Sequence, residues 1–304
     1  MNRRKFIKSS SVASAGLLST NFNYTNQNNL RNNFNLKYAP HLGMFESHAG
    51  NDPISQLQFM IDQGFTAFED NNMKNRNIQT QNNISSFMYK NNMHMGVFVG
   101  HKIYWKEPNL ASGDLEKRTE FLKDIKESIE VAKRVNANWI TVVPGHLDLK
   151  LNIGYQTSNV IETLKMASDF LEPHGIVMVL EPLNFRNHPG LFLSKSPQAY
   201  EICKAVNSPS CKILFDIYHQ QIQEGNLIPN IEACWDEIAY FQIGDNPGRN
   251  EPNTGEINYK NIFKYIYEKD YSGILGMEHG NSKPKKEGEL AVIEAYKKVD
   301  NFLN

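Results

Sequence analysis

An α/β fold closed into a (β/α)8 TIM barrel is the architecture this sequence predicts, and three observations predict it. From about residue 36 to the end, short apolar runs alternate with amphipathic helical patterns, giving eight strand-helix pairs in about 270 residues, close to the usual size of such a barrel. Four of the runs close on an oxygen-bearing side chain, Glu181, Asp216, Gln242 and Glu278, spaced 35, 26 and 36 residues apart, about one strand-loop-helix unit each. A doubly wound open sheet would want a Gly-rich phosphate turn after its first strand, and Gly43-Met-Phe-Glu-Ser offers none.

The elements follow in order. A first strand is expected near Tyr38–Phe45. Asp52-Pro53 opens a helix: the aspartate can cap, proline suits the first turn, and Ile54, Leu57 and Ile61 follow on one face until Gly64. Thr66–Glu69 reads as strand two, Ile78–Lys90 as its helix and Met93–Val99 as strand three. A long loop, His101–Gly113, precedes a helix carrying Phe121, Ile125, Ile129 and Ala132. Trp139–Val143 is strand four and Tyr155–Leu171 its helix. Strands five to eight are Ile176–Glu181, Lys212–Asp216, Ile238–Gln242 and Ile274–Glu278, with helices near Pro197–Val206, Leu227–Trp235, Tyr259–Glu268 and Glu287–Leu303.

The chain has 304 residues, 40% of them hydrophobic, enough for one large core. No apolar run reaches the roughly 18 residues of an ordinary membrane span. The first 25 residues hold Arg3, Arg4, Lys5 and Lys8 and no acid, which leaves 28 basic against 33 acidic residues, or −5, in the remainder. That mildly acidic body offers no footprint for nucleic acid. A basic head followed by the weakly apolar Ser9–Ser19 resembles a twin-arginine export signal. Residues 1–35 are therefore read as signal and polar linker and 36–304 as the catalytic domain, in a periplasmic or exported protein handled by the twin-arginine translocation machinery. Cys203, Cys211 and Cys234 are odd in number and lack metal spacing, so buried thiols are expected.

In a parallel barrel the strand ends meet at one mouth, where the chemistry sits. Three carboxylates and an amide converging there repel one another unless a cation lies among them, which makes Glu181, Asp216, Gln242 and Glu278 a candidate divalent-metal set. The same set suits proton transfer beside a carbonyl. Glu181 and Glu278, far apart around the ring, flank a substrate as acid and base, while Asp216 and Gln242 anchor the ion. His219 is a candidate for a substrate hydroxyl or for orienting a ligand, Arg249 for a substrate carboxylate, and His101 and His146 for further contacts at the mouth. The Gly- and Pro-marked stretch from Gly244 to Glu256 reads as an ordered loop over the mouth, with Glu251 and Glu256 as loop and cap residues.

Phe215-Asp-Ile-Tyr-His219 and the run from Phe241-Gln-Ile-Gly-Asp-Asn-Pro247 through Glu251-Pro-Asn-Thr-Gly-Glu-Ile-Asn-Tyr259 resemble the hydroxypyruvate isomerase family of xylose-isomerase-like TIM barrels. Glu181-Pro-Leu-Asn184 and Met277-Glu278 agree more loosely. The resemblance implies Glu181 and Glu278 as acid/base pair and metal ligands, Asp216 and Gln242 as the other ligands, and His219 and Arg249 as substrate contacts. It also implies Mg2+ or Mn2+, and interconversion of hydroxypyruvate with 2-hydroxy-3-oxopropanoate. Related epimerases generally carry His where Gln242 stands, so Gln favours the isomerase branch. Two alternatives keep the site but change the outcome: a sugar 3-epimerase, or a keto-sugar dehydratase. A non-catalytic periplasmic carbohydrate-binding protein is the alternative from another class. A barrel AP-endonuclease fits less well, since the nine histidines form no three-zinc cluster. Homo-oligomer formation is left open.

Overall fold

The computed structural model describes residues 34–303. The candidate export signal, with Arg3, Arg4, Lys5 and Lys8, lies outside the described residues. Nine parallel strand segments and ten α-helices alternate along the described chain: β1 (Lys37–Pro40), α1 (Glu46–Ala49), α2 (Pro53–Asp62), β2 (Ala67–Phe68), α3 (Ile78–Asn91), β3 (His94–Met95), β4 (Phe98–Val99), α4 (Leu115–Val135) and β5 (Trp139–Val142). Then come α5 (Ile153–Leu171), β6 (Val177–Leu180), α6 (Ser196–Val206), β7 (Cys211–Asp216), α7 (Ile217–Gln223), α8 (Leu227–Ala233), β8 (Ile238–Gln242), α9 (Tyr259–Glu268), β9 (Ile274–Met277) and α10 (Lys285–Asp300).

Seven segments pair in the order β1-β9-β8-β7-β6-β5-β4, and β2 pairs with β3. Backbone bonds on either side of β2 join these sheets: Glu69 N–H donates to Pro40 O at 3.1 Å, and Val99 N–H, on β4, to Asn71 O at 3.2 Å. The ring thus closes, as expected of a TIM barrel. The expected third strand is divided at Gly96, where an added Cβ would come within 2.3 Å of the Tyr240 hydroxyl. The expected first strand is shorter than Tyr38–Phe45, because the chain turns after Pro40 and forms α1. A short helix that the sequence reading lacked, α7, follows β7 directly.

Strand period two sorts the side chains. Ala39, Ala67, Val97, Val179, Leu214, Tyr240 and Ile274 form one buried cluster, the barrel interior. The opposite phase, including Tyr38, Phe68, Phe98, Ile140, Met178, Phe215, Phe241 and Leu275, packs with the helices in a larger cluster. Two residues further along each strand, the inward positions are His41, Glu69, Val99, Thr141, Glu181, Asp216, Gln242 and Gly276. The helices are sharply delimited: Asp52, Asn77, Asp114, Asn152 and Asn258 cap N-termini with their side chains. Asn92, Asn136 and Asn207 end helices in the left-handed conformation. Cys203, Cys211 and Cys234 are buried and free, as expected. No helix among the described residues is long and apolar enough to cross a membrane.

Candidate active site

The inward position at each strand's end decides what faces the mouth, and there a polar cavity of about 130 Å³ opens. Its polar lining comes from Asn71, Thr141, Glu181, His219, Arg249 and Glu278, its apolar wall from Val99, Ile103, Trp105 and Leu183, with His188 beside them. A larger groove of about 490 Å³, lined by Met88, Tyr89, Met93 and Val135, lies at the other end of the strands, away from the acids.

Glu181 follows β6 and is almost fully buried. Among the described residues no hydrogen bond reaches its carboxylate. Burial, then repulsion from Glu278 and Asp216, raises its pKa well above the usual carboxylate range. Asp216 ends β7 and divides its two oxygens. Oδ1 caps α7 by accepting from the His219 N–H at 3.0 Å, whereas Oδ2 is buried with no hydrogen-bond partner. Burial raises its pKa also, partly offset by Arg249. Gln242 ends β8, buried, with Oε1 similarly unpartnered. Glu278, just past β9, is the most exposed of the four; its Oε1 accepts from Asn71 Nδ2 at 2.9 Å and its Oε2 from Arg249 at 2.6 Å. Arg249 also comes within 3.5 Å of Asp216 Oδ2 and lies over the Tyr218 ring at 5.0 Å.

His219 Nε2 lies in a buried group with Glu181 and Asp216 whose ligand atoms are all within 4.8 Å of one another. Its tautomer decides what it can do. Asn184 Oδ1 accepts from the Arg186 and Asn187 amides at 3.0 and 2.9 Å, which fixes Asn184 Nδ2 as a donor. That nitrogen lies 2.6 Å from His219 Nδ1, and the Asn184 backbone N–H donates to the same atom at 3.3 Å. Nδ1 is therefore the acceptor, and the proton sits on Nε2, aimed into the site without a partner. Burial depresses the His219 pKa to about 3, so the ring is neutral. A neutral Nε2–H gives a donor for substrate oxygen, not a lone pair for a metal.

His101 and His146 do not line the cavity, contrary to the sequence expectation. His101 accepts from the Val143 N–H at Nε2 (3.1 Å) and turns Nδ1 to Lys102 O (2.9 Å), so both nitrogens brace loop backbone. His146 likewise turns Nδ1 to Leu147 O, at 2.9 Å. The sequence reading missed several residues that the site contains. Trp105 and His188 stack at 5.1 Å across the mouth from two loops. Thr141 points a buried, unpartnered hydroxyl at the cavity wall. Glu69, at the end of β2, lies beneath Gln242, accepting from Tyr240 OH at 3.0 Å and from Gln242 Nε2 at 3.4 Å. Burial, then Glu278, raises its pKa well above the usual range. Its signal was available: it ends a strand just as the other four do.

The loop after β8 is held from within. Asp245 is fully buried and accepts from the Gly255 and Ile257 N–H groups at 2.9 and 3.1 Å. Glu251 accepts from the Ser282 N–H at 2.9 Å, tying the loop to the chain after β9. Glu256 accepts from Gln221 at 3.1 Å and from Asn246. Both glutamates thus serve the loop, as expected. The same frame delivers Arg249 to Glu278, with Gly280 N–H donating to Arg249 O at 2.9 Å.

A family model described as "Xylose isomerase-like TIM barrel" matches residues 57–299. This chain belongs to that family. The xylose isomerase-like barrel here is 33% identical over 194 residues to the hydroxypyruvate isomerase of Escherichia coli, covering 60% of this chain and 75% of that protein. It is 31% identical over 194 residues to the 2-oxo-tetronate isomerase of Pectobacterium atrosepticum, covering 62% and 74%. On these relationships it is an isomerase. Among solved structures, one described as an AP endonuclease of family 2 from Brucella melitensis superposes with a TM-score of 0.74 at 25% identity, over 83% of this chain and 96% of that one. The 3-keto-D-glucoside 4-epimerase of E. coli superposes with a TM-score of 0.71 at 18% identity, over 87% and 98%, a likeness of fold.

Proposed function

We propose that this xylose isomerase-like barrel shifts a carbonyl between adjacent carbons of a short hydroxy-carbonyl acid, interconverting hydroxypyruvate and 2-hydroxy-3-oxopropanoate through an enediolate. One observation carries this reading. Glu181 and Glu278 line one small cavity from separate strands, and Asp216 Oδ2, Gln242 Oε1 and His219 Nε2, at or just past the ends of the strands between them, are buried without hydrogen-bond partners. The names of the relatives support the reaction class.

The residues present fit a hard divalent ion. Buried oxygens of Asp216 and Gln242 lack partners, and burial of Glu181 beside Asp216 and Glu278 crowds like charges that a cation would relieve. Glu181, Asp216, Gln242 and Glu278 would hold Mg2+ or Mn2+, which, when bound, supplies Lewis-acid polarisation of the carbonyl and offsets enediolate charge. Arg249 directs a fork of donors at the substrate carboxylate. The His219 Nε2–H donates to a substrate oxygen. One glutamate removes a proton from the hydroxymethyl carbon; the C–H pair becomes the C=C bond and the carbonyl oxygen takes the charge. The other glutamate delivers a proton to the former carbonyl carbon, and a hydroxyl proton passes between the two oxygens, so the product has the mass of the substrate. Proton NMR in D2O with hydroxypyruvate and Mg2+ tests this. The wild type should incorporate solvent deuterium, and Glu181→Gln or Glu278→Gln should lose that exchange about a hundred-fold or more while remaining folded. Wild-type exchange in both variants overturns the assignment. 2-Oxo-tetronate in the same assay sets the chain length accepted.

We also propose that residues 1–35 hold a twin-arginine export signal and a polar linker. Arg3→Lys with Arg4→Lys should retain the protein in the cytoplasmic fraction, and unchanged export overturns this.

A further inference from the structure

Beneath the cavity the barrel buries a fourth acid that the reaction above does not use. Glu69 is almost fully buried, and room for it is built by leaving out side chains on neighbouring strands. At Gly276 on β9 a Cβ would lie 2.0 Å from Glu69 Oε2. At Gly96 a Cβ would meet the Tyr240 hydroxyl at 2.3 Å and Glu69 Cβ at 3.1 Å. An apolar side chain on β2 with ordinary residues at 96 and 276 would fill the same space without burying a charge. Both groups bonded to the carboxylate act as donors, Tyr240 OH at 3.0 Å and Gln242 Nε2 at 3.4 Å.

A glutamine side chain has two nearly isosteric orientations, and only its surroundings select one. With an acceptor below it, the Gln242 nitrogen faces down into the barrel, and Oε1 is left buried without a hydrogen-bond partner. We propose that Glu69 is a positioning residue that locks the Gln242 amide, so that a neutral oxygen, and not an N–H, is presented to the cation. The inference rests on the functional reading above, in which Gln242 contributes its oxygen to the ion. Donors aimed at a cation would repel it, so the lock decides whether this corner of the site attracts or opposes the ion.

The test is Mn2+ binding to the whole protein without substrate, read by the electron paramagnetic resonance of free Mn2+, in wild type, Glu69→Gln, Gln242→Ala and the double variant. Circular dichroism and the thermal midpoint check folding. Glu69→Gln keeps the shape but supplies an N–H as well as an oxygen, and should weaken binding about 10- to 100-fold. In the Gln242→Ala background the same change should cost less than about two-fold, the non-additivity of residues acting as a unit. Two outcomes overturn the inference: undiminished Mn2+ affinity in Glu69→Gln, or an equal loss in both backgrounds, which would mean that Glu69 acts through its charge alone. Absence of Mn2+ binding by the wild type would overturn the functional reading and this inference with it. A measurement needing no variant stands beside these. The Gln242 side-chain amide protons should exchange slowly by NMR in the wild type, and exchange at the rate of a surface glutamine overturns the lock.

Discussion

Glu181 bears an electrostatic load that no neighbour relieves through hydrogen bonding, and this gives the barrel a pH signature. Its folded pKa is raised, so the unfolded chain gives up its proton first, near ~4.3. Stability is then lost as pH rises above that value, because the unfolded state binds fewer protons there. Glu181→Gln removes the effect, and in the presence of a chelator it should raise the thermal midpoint at pH 7 while abolishing activity; an unchanged or lower midpoint would contradict this. Buried histidines work in the opposite sense. Burial depresses the pKa of His101 to about 4 and of His279 to about 3. The unfolded chain protonates first as pH falls below ~6.5, so stability is lost progressively from there down to the folded values. For His101 the loss is on the order of 3 kcal/mol at pH 4. Urea unfolding at pH 7 and pH 4 measures it, and His101→Gln should flatten that limb. At this scale Glu181, Asp216, Gln242 and Glu278 were legible, because each is a polar residue closing an apolar run. His101 and His146 were misplaced because a ring nitrogen's partner, here loop backbone, leaves no mark in sequence. Glu69 went unread although it closes the expected strand Thr66–Glu69, because Asp70 follows at once and blurs which acid ends the run.

Elements are positioned by small residues and caps. A Cβ at Gly276 would drive into the Glu69 carboxylate at 2.0 Å. Gly276→Ala should cost about 1–3 kcal/mol by urea unfolding, with activity falling further than stability explains, since Gln242 pairs with Gly276 across β8 and β9. Asp114 caps α4 by accepting from the Glu116 and Lys117 amides at 2.8 and 3.1 Å, and α4 packs between α3 and α5. Asp114→Ala should therefore cost about 1 kcal/mol and leave turnover unchanged. Helices were readable from periodicity and caps: α2, α3 and α9 begin or end within a residue or so of expectation. α7 was not, because Ile217-Tyr-His-Gln carries no cap of its own; the cap is Asp216, which had been read only as a strand end.

On the scale of the whole molecule, the reading of an ion-holding site makes a thermal prediction. Mn2+ at a hundred times its Kd should stabilise the protein by about 2.7 kcal/mol, and Asp216→Asn should abolish that gain. Residues 36–303 should retain the turnover of the full chain, since every residue of the candidate site lies within them. The closed ring was legible from the alternation of elements, whereas its closure by Glu69 N–H and Val99 N–H, outside any long strand, was not.

The described chain's two ends meet. Asn35 N–H donates to Asp300 Oδ2 at 2.7 Å, Tyr38 OH to Oδ1 of the same side chain at 2.9 Å, and β1 pairs with β9. Helix α10 therefore latches β1, and a nascent polypeptide cannot complete its hoop until Asp300 has joined it. Covalent peptide continuity across that latch is dispensable in principle. A circular permutant stitched there and cut open in an exposed turn such as 148–150 should assemble the same pocket.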